Sequence, residues 1–381
     1  MYKIFYWSPY LSNVATINNV LNSALSLAKY NKKFEISLIN VFGEWNVKKS
    51  LLKRNNIKIE KLTSLNINLP IIGYLRSRVY LFFIFFINFF PFLNLLKNKK
   101  PDYIIIHLLT SLPLILLFLF NFKTKFILRI SGLPKLNFLR KLLWMKVSKK
   151  IYMVTCPSIE TYNQIKELEI FPNDKITVLY DPIIKISDIM KKKKEIFDKD
   201  LSENFYLSIG RLTRQKNHIL LLKAFLEQTK KNKDAILYII GDGEKENYLN
   251  NFIIKNNLTK NIILLGHKKN VFPFFYKAKA TIITSLWEDP GAVMIESAFC
   301  NTPIISSDCK NGPREFLNNG KGGILYETGK KDKLKESLDK FLGFKKLDKS
   351  NLKINAKKNC NKYTLYKHYI LFRKFLIKFS T

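Results

Sequence analysis

Phe205-Tyr-Leu-Ser-Ile-Gly210-Arg211-Leu-Thr-Arg-Gln-Lys216-Asn-His-Ile-Leu-Leu-Leu-Lys-Ala-Phe225 reads as a buried strand, a glycine turn and a helix with apolar periodicity. Ala235-Ile-Leu-Tyr-Ile-Ile-Gly241-Asp242-Gly243-Glu244 repeats the strand and turn, Tyr248 to Leu258 supplies a second helix, and Asn261-Ile-Ile-Leu-Leu-Gly266 opens a third unit. Strands alternating with helices at this spacing predict a parallel sheet covered on both faces, hence an α/β fold. Ligands of such sheets bind at the carboxyl ends of the strands, so the loops at Gly210, Gly241, Gly266 and Glu288 are expected to converge. The Gly241-Asp-Gly243 turn lacks the third glycine of a dinucleotide fingerprint and is a weak signal alone.

Downstream, Thr281-Ile-Ile-Thr-Ser-Leu-Trp-Glu288-Asp-Pro-Gly-Ala-Val-Met-Ile-Glu296-Ser-Ala-Phe places two glutamates, seven residues between them, across a strand-to-helix turn. Asp289-Pro290 offers an N-cap and a first-turn proline, which predicts a helix from that point with Glu296 two turns in and Glu288 in the loop. At ~1.5 Å of rise per residue the carboxylates stand ~10 Å apart along the axis, about the reach of a sugar diphosphate. Val293, Met294, Ile295, Ala298 and Phe299 surround Glu296 with apolar side chains, where an unpaired carboxylate is costly. That points to a ligand hydrogen bond; a solvated helix residue is the alternative. Trp287 is expected to pack. Gly210 lets backbone approach a ligand, Arg211 can grip phosphate oxygens in bidentate fashion and Lys216 adds a point charge near a helix start. In a chain this rich in lysine, a solvent-facing Lys216 is the competing reading.

Taken in order over residues 205 to 330, Gly-Arg-x-x-x-x-Lys, Gly-Asp-Gly, Gly-His, Glu-x7-Glu and Asn-Thr-Pro-Ile-Ile resemble the family-4-type retaining glycosyltransferases of the GT-B fold. The resemblance implies two Rossmann-like doubly wound domains facing a central cleft. It also implies transfer of a sugar from a nucleotide diphosphate sugar with retention of anomeric configuration, with no required metal and no other cofactor. Arg211 and Lys216 would then hold the diphosphate, Glu288 would orient the donor sugar at the reacting centre, and Glu296 would bind the ribose hydroxyls. Backbone around Asn270 and Val271 would meet the base, with Gly210 and Gly241 beside the nucleotide. Pro290, Gly291, Ala292 and Val293 would supply amides near sugar and phosphates. The first half departs from the family pattern. Tyr10-Leu-Ser-Asn13-Val14-Ala15-Thr16 replaces the glycine-rich loop, and Arg129, Ser131 and Gly132 stand where relatives carry a histidine. His107, the sole histidine of that half, follows an apolar strand and reads first as a satisfied core residue, with a place in the cleft as the alternative.

With 381 residues and 47% hydrophobic content the chain has room for two domains. We expect an acceptor-binding domain over 1–180, a nucleotide-sugar-binding domain over 181–360, and a helix within 361–381 returning to the first. The hinge from Asp181 to Glu203 contains a lysine run over 191–194 and Asp198-Lys-Asp200, an acidic pair in a linker that carries no metal signal. The formal net charge of +36 needs an anionic partner. No aromatic RNP-like pattern, zinc spacing or recognition-helix signature accompanies it, which argues against specific nucleic-acid binding. Val79 to Leu96, flanked by Arg76, Arg78, Lys97, Lys99 and Lys100, predicts seating at an anionic membrane interface; a spanning helix, opposed by Asn88, Pro91 and Asn94, and simple burial are the alternatives. His107 to Phe120 is expected to be a buried helix. Met1 to Trp7 reads as a first strand rather than a signal peptide, so a cytoplasmic protein, peripheral on the membrane, is expected. Cys156, Cys300, Cys309 and Cys360 are expected as buried thiols, and Asn311 to Glu315 as a surface turn. The activity expected is hexosyl transfer from a UDP-sugar to a cell-surface or lipid-linked glycan. The alternatives are a nucleotide-sugar epimerase, which would need an acid/base pair, and a non-catalytic membrane-binding relative.

Overall fold

Apolar runs such as Tyr103–Ile106, Ala280–Ile283 and Ile304–Ser307 are buried at every residue, as strands of a sheet covered on both faces must be. A computed structural model describes residues 1–10, 15–63, 74–132, 136–195, 201, 202 and 204–377. The chain forms two compact units, Met1–Pro182 with Leu365–Thr381, and Ile183–Thr364.

The first unit contains β1 (Tyr2–Trp7), β2 (Phe34–Asn40), β3 (Lys58–Lys61), β4 (Tyr103–Ile106), β5 (Lys125–Arg129), β6 (Met153–Cys156) and β7 (Ile176–Val178). They form one parallel sheet in the order β3-β2-β1-β4-β5-β6-β7. Its helices are α1 (Ala15–Tyr30), α2 (Lys49–Arg54), α3 (Tyr74–Lys99), α4 (Ser111–Leu119), α5 (Phe138–Val147) and α6 (Ile159–Glu167). One face of the sheet packs against α3, α4 and α5 through Phe92, Leu96, Leu112, Leu116, Trp144 and Val147. Phe92 of α3 stacks on Trp7 at 4.4 Å between ring centres. The aromatic block therefore forms a helix with one side in the core, while Phe83, Phe86 and Phe90 stay exposed on the other. Among the described residues no helix is long and apolar enough to cross a membrane.

The second unit contains α7 (Ile186–Lys192), then β8 (Phe205–Ile209), α8 (His218–Lys231), β9 (Ile236–Ile240), α9 (Glu246–Lys255), β10 (Ile262–Leu264) and α10 (Phe272–Lys277). It continues through β11 (Ala280–Ile283), α11 (Ala292–Phe299), β12 (Ile304–Ser307), α12 (Pro313–Phe316), β13 (Ile324–Tyr326), α13 (Lys331–Gly343) and α14 (Lys346–Asn359). The sheet is again parallel, ordered β10-β9-β8-β11-β12-β13. The expected hinge thus contains a helix, α7, that belongs to this unit. The amides of Ile183 and Ile184 both donate to Tyr363 O, so the entering and leaving chain lie side by side.

The chain then returns to the first unit as α15 (Leu365–Ile377). Tyr103 and Tyr152 donate their hydroxyls to Leu376 O and Phe375 O at 2.5 and 3.1 Å. His368 Nδ1 lies 2.7 Å from Tyr180 O. A carbonyl only accepts, so Nδ1 carries the proton and Nε2 accepts from Ser23 Oγ at 2.8 Å. Burial holds His368 neutral, its pKa lowered to about 3. Nearby, Arg129 at the end of β5 donates to Leu179 O and to Asp181 Oδ1 at 2.6 and 2.5 Å. Asp181, expected at the start of the hinge, is buried and also accepts from Asn19. Arg129→Ala would leave that carboxylate buried without its cation. We expect a loss of about 3–5 kcal/mol in chemical denaturation. The double variant Arg129→Ala, Asp181→Ala should lose less than the sum of the two single changes.

Candidate functional site

In the second sheet the strand order reverses between β8 and β11, and the crevice beyond such a reversal is where doubly wound folds take ligands. The loops leaving the carboxyl ends of β8 to β12 are tied together there. Gly210 N donates to Ile240 O at 3.0 Å, Gly241 N to Gly266 O at 2.9 Å and Leu212 N to Asp242 O at 2.7 Å. Leu286 N donates to Gln215 O at 2.8 Å and Glu288 N to Lys310 O at 3.2 Å. The loops at Gly210, Gly241, Gly266 and Glu288 do share one edge. Close approaches to neighbouring backbone require glycine at several positions, Gly243 against Leu212 among them. At Gly241, with φ +142°, any side chain would collide with the Gly210 carbonyl, and at Gly312, with φ +155°, with Pro290 O. The Asn311-Gly-Pro313 segment, expected as a surface turn, is therefore buried under the Pro290 backbone.

Glu288 is 8% exposed, and its Oε1 accepts from Lys216 Nζ at 2.5 Å and from Ser285 Oγ at 2.6 Å. Lys216 is thus turned inward onto Glu288. Its position is fixed by a 2.8 Å bond from Thr284 Oγ1 to Lys216 O. Gln215 Nε2 donates to Trp287 O at 2.9 Å, while the Trp287 ring, expected to pack, is 50% exposed. Lys216, Ser285, Glu288, Gly291, Val293 and His218 line one small cavity of about 10 Å³, room for a single water. His218, which the sequence reading passed over, is buried at the start of α8, and among the described residues its Nδ1 meets no hydrogen-bond partner. Burial and then the Lys216 charge lower its pKa to about 4, so it is neutral at physiological pH. Its place two residues after Lys216 was the available signal.

The expected helix start at Asp289 is corrected. The Asp289–Pro290 bond is cis, Gly291 takes φ +91°, and α11 begins only at Ala292. The backbone makes a left-handed step before it can enter the helix. Glu296 is therefore the fifth residue of α11, a little over one turn in. Met294 and Ile295 amides close back on Gly291 O, and Ala292 and Val293 are the first two residues of the helix. Arg211 also differs from expectation. It sits exposed in the loop, seven residues before α8, outside the reach of that helix's dipole. Asn270 donates its side-chain amide to Lys192 O and Glu195 Oε2 at 2.8 and 2.7 Å, anchoring the end of α7, and Val271 caps α10.

In the first unit, His107 is buried at the end of β4 and stacks on Tyr6. Arg129, expected to stand in for a ligand-binding histidine, is engaged by Leu179 and Asp181. His107, Arg129, Ser131 and Gly132 all line a separate cavity of about 680 Å³. Residues 11–14 and Asp198-Lys-Asp200 lie outside the described residues. Among the described residues no group of three or more His, Cys, Asp or Glu could hold a metal ion, and all four cysteines are free and buried. Burial raises the Glu296 pKa to about 7, with Lys192 opposing. Because the folded value lies above the ordinary 4.5, stability from this group is complete below pH 4.5 and is lost as pH rises through 7. Glu296→Gln should raise Tm at pH 8 and flatten its fall between pH 5 and 8 in calorimetry.

Residues 189–359 match the family described as glycosyl transferases group 1. An uncharacterized glycosyltransferase of Methanocaldococcus jannaschii is 32% identical over 60% of this chain and 61% of its own length. The N-acetylgalactosamine-N,N'-diacetylbacillosaminyl-diphospho-undecaprenol 4-alpha-N-acetylgalactosaminyltransferase of Campylobacter jejuni is 31% identical over 46% of this chain and 47% of its own length. The chain thus spans about half the length of the curated relatives it matches. Anabaena HepE, solved with UDP and glucose, superimposes with a TM-score of 0.71 over 99% of this chain and 100% of its own, at 15% identity. The chain has the GT-B fold, and its segment 189–359 is similar to the glycosyl transferases group 1.

Proposed function

We propose that this chain is a retaining glycosyltransferase that moves a hexose-type sugar from a UDP-sugar to a lipid-linked or cell-surface glycan. The observation that carries the reading is the buried Lys216–Glu288 pair at the reversal of strand order, with Arg211 exposed on the adjoining loop. Arg211 grips the diphosphate with two parallel N–H groups, and Lys216 adds a second cation between phosphate and Glu288. Together they take up the charge that develops on the leaving diphosphate, so the reading assigns that role to side chains rather than to a metal ion. Glu288, its orientation fixed by Lys216 and Ser285, accepts from donor-sugar hydroxyls near the anomeric carbon. The Ala292 and Val293 amides, with the Pro290–Gly291 backbone, face sugar and phosphate. Glu296 binds the ribose hydroxyls, and backbone at Asn270 and Val271 meets the base beside Gly210 and Gly241. The acceptor hydroxyl attacks the face from which the diphosphate departs.

UDP is favoured because HepE was solved with UDP and glucose, and a lipid-linked acceptor because the Campylobacter relative acts on a diphospho-undecaprenol-linked glycan. The +36 charge suits peripheral association with an anionic membrane. UDP, GDP, ADP and TDP are to be compared by thermal shift with the unaltered chain, Arg211→Ala and Glu296→Ala. At a hundredfold excess over Kd, UDP should add about 2.7 kcal/mol, and both substitutions should remove most of that gain. Silence toward every nucleotide in a folded sample sinks the reading. Once an acceptor is found, an inverted anomeric centre in the product, read by NMR coupling constants, overturns the retaining assignment.

A further inference from the structure

Of the four tryptophans, Trp7, Trp45 and Trp144 are at most 2% exposed, whereas Trp287, which directly precedes Glu288, is 50% exposed. Its backbone is held on both sides. Gln215 Nε2 donates to Trp287 O at 2.9 Å, Leu286 N donates to Gln215 O at 2.8 Å, and Glu288 N donates to Lys310 O at 3.2 Å. Trp287 also pairs with Lys310 in an isolated parallel bridge. With the chain fixed, only two side-chain torsions remain, so an indole here is ordered at small entropic cost.

The ring itself has no partner within the protein. The other large exposed rings of the second unit, Tyr248 and Tyr276, are each covered by a lysine, Lys245 at 6.0 Å and Lys193 at 5.2 Å. Among the described residues the Trp287 indole makes no hydrogen bond, ring contact or cation contact, although Lys310 is its neighbour in the bridge. A single exposed apolar side chain is ordinary on a protein surface. This one differs in its pinned backbone, in a bare ring where lysines cover the others, and in its place beside Glu288.

The face of an indole is electron-rich and attracts groups of positive partial charge. A pyranose offers such groups: its hydroxyls lie around the edge, and the C–H bonds on its faces are polarised by the oxygen on each carbon. Glu288, buried and gripped by Lys216 and Ser285, can take hydroxyls, and the bare indole next to it can take a C–H face. Together they present the two surfaces that a hexose requires.

We propose that Trp287 is a stacking platform for a pyranose ring at the outer lip of the candidate donor site. The ring is carried either by the donor or by the acceptor glycan. The inference rests on the transferase reading and adds a sugar contact to it.

Acrylamide quenching of tryptophan fluorescence in the full chain tests the platform, because the other three indoles are shielded by burial. Trp287→Phe should remove most of the quenchable emission. The probes are UDP, UDP-glucose, UDP-galactose, their N-acetylhexosamine counterparts, and the methyl α-glycosides of the same four sugars with and without UDP. A UDP-sugar that lowers quenching about twofold below UDP alone identifies a donor ring, and a methyl glycoside that does so identifies an acceptor ring. Trp287→Ala should weaken binding of the shielding sugar about tenfold and Trp287→Tyr less than about threefold, with the UDP thermal shift unchanged in both. If no sugar of the set shields the ring, or if Trp287→Ala loses UDP and sugar equally, the proposal is overturned; an intact UDP shift in the unaltered chain then leaves the transferase reading standing. A methyl glycoside that shields Trp287 in a chain silent toward every nucleotide supports the platform and sinks the transferase reading alone.

Discussion

The second unit depends on one close contact: the α-carbon of Gly241 lies against the carbonyl of Gly210, where no side chain fits. Two strand ends that approach this closely can exchange backbone hydrogen bonds past the end of the sheet, and Leu212 N does so with Asp242 O. The loop that follows β8 then has a fixed path, and Lys216 and Gln215 at its far end reach the loop after β11. Gly312 makes the equivalent contact under Pro290, fixing the turn that carries Glu288 into α11. Loops without internal secondary structure are ordinarily mobile. Here five of them are stitched into one rim, the pre-organisation that the proposed charge-stabilising role would need.

Each unit carries a buried ion pair near the carboxyl ends of its strands, and the two differ in what remains for a ligand. Arg129 spends donors on Leu179 O and Asp181, and Asp181 also accepts from Asn19. That network closes on itself and anchors the segment where the chain leaves the unit. Lys216 and Glu288 border a cavity, and Arg211 stands exposed nearby. A buried pair contributes little to stability for the desolvation it requires. Arg129 also lines a cavity, so what distinguishes the second pair is the exposed cation beside it, Arg211, whereas Arg129 is engaged by both Leu179 O and Asp181.

The alternating strands and helices of the second unit were legible because its strands are short apolar runs, three of which, β8, β9 and β10, lead directly into a glycine turn, a local signal. The glutamate pair and Gly-Arg-x4-Lys were legible for the same reason. What local patterns could not carry was partnership across sequence. Lys216 meets Glu288 72 residues away, and Arg129 meets Asp181 52 residues away. A lysine read alone faces solvent, and an arginine after a strand reads as a ligand. The start of α11 was misread because Asp-Pro satisfies the local rule for a helix start, whereas the left-handed Gly291 between them and the helix outranks it. His218 escaped notice because a histidine opening an apolar helix carries no pattern until Lys216 is known to turn inward beside it.

The proposed donor complex also sets a condition on charge. A nucleoside diphosphate brings two or more negative charges into a rim that already holds Glu288, with Arg211 and Lys216 as counter-charges. A second ionised carboxylate at Glu296 would spend part of that balance on repulsion. Burial raises its pKa to about 7, so near neutrality a large share of Glu296 carries a proton. A neutral carboxyl can still accept from one ribose hydroxyl and donate to the other, which orients the ribose without opposing the diphosphate. The ionised form accepts two hydroxyl bonds but adds its charge to the site. Lys192, the cation that opposes the shift, lies on α7, whose end Asn270 anchors. The protonation of Glu296 is thus linked to the segment whose backbone is assigned to the base, and nucleotide affinity should weaken as pH rises through 7 if the neutral form is the one that binds.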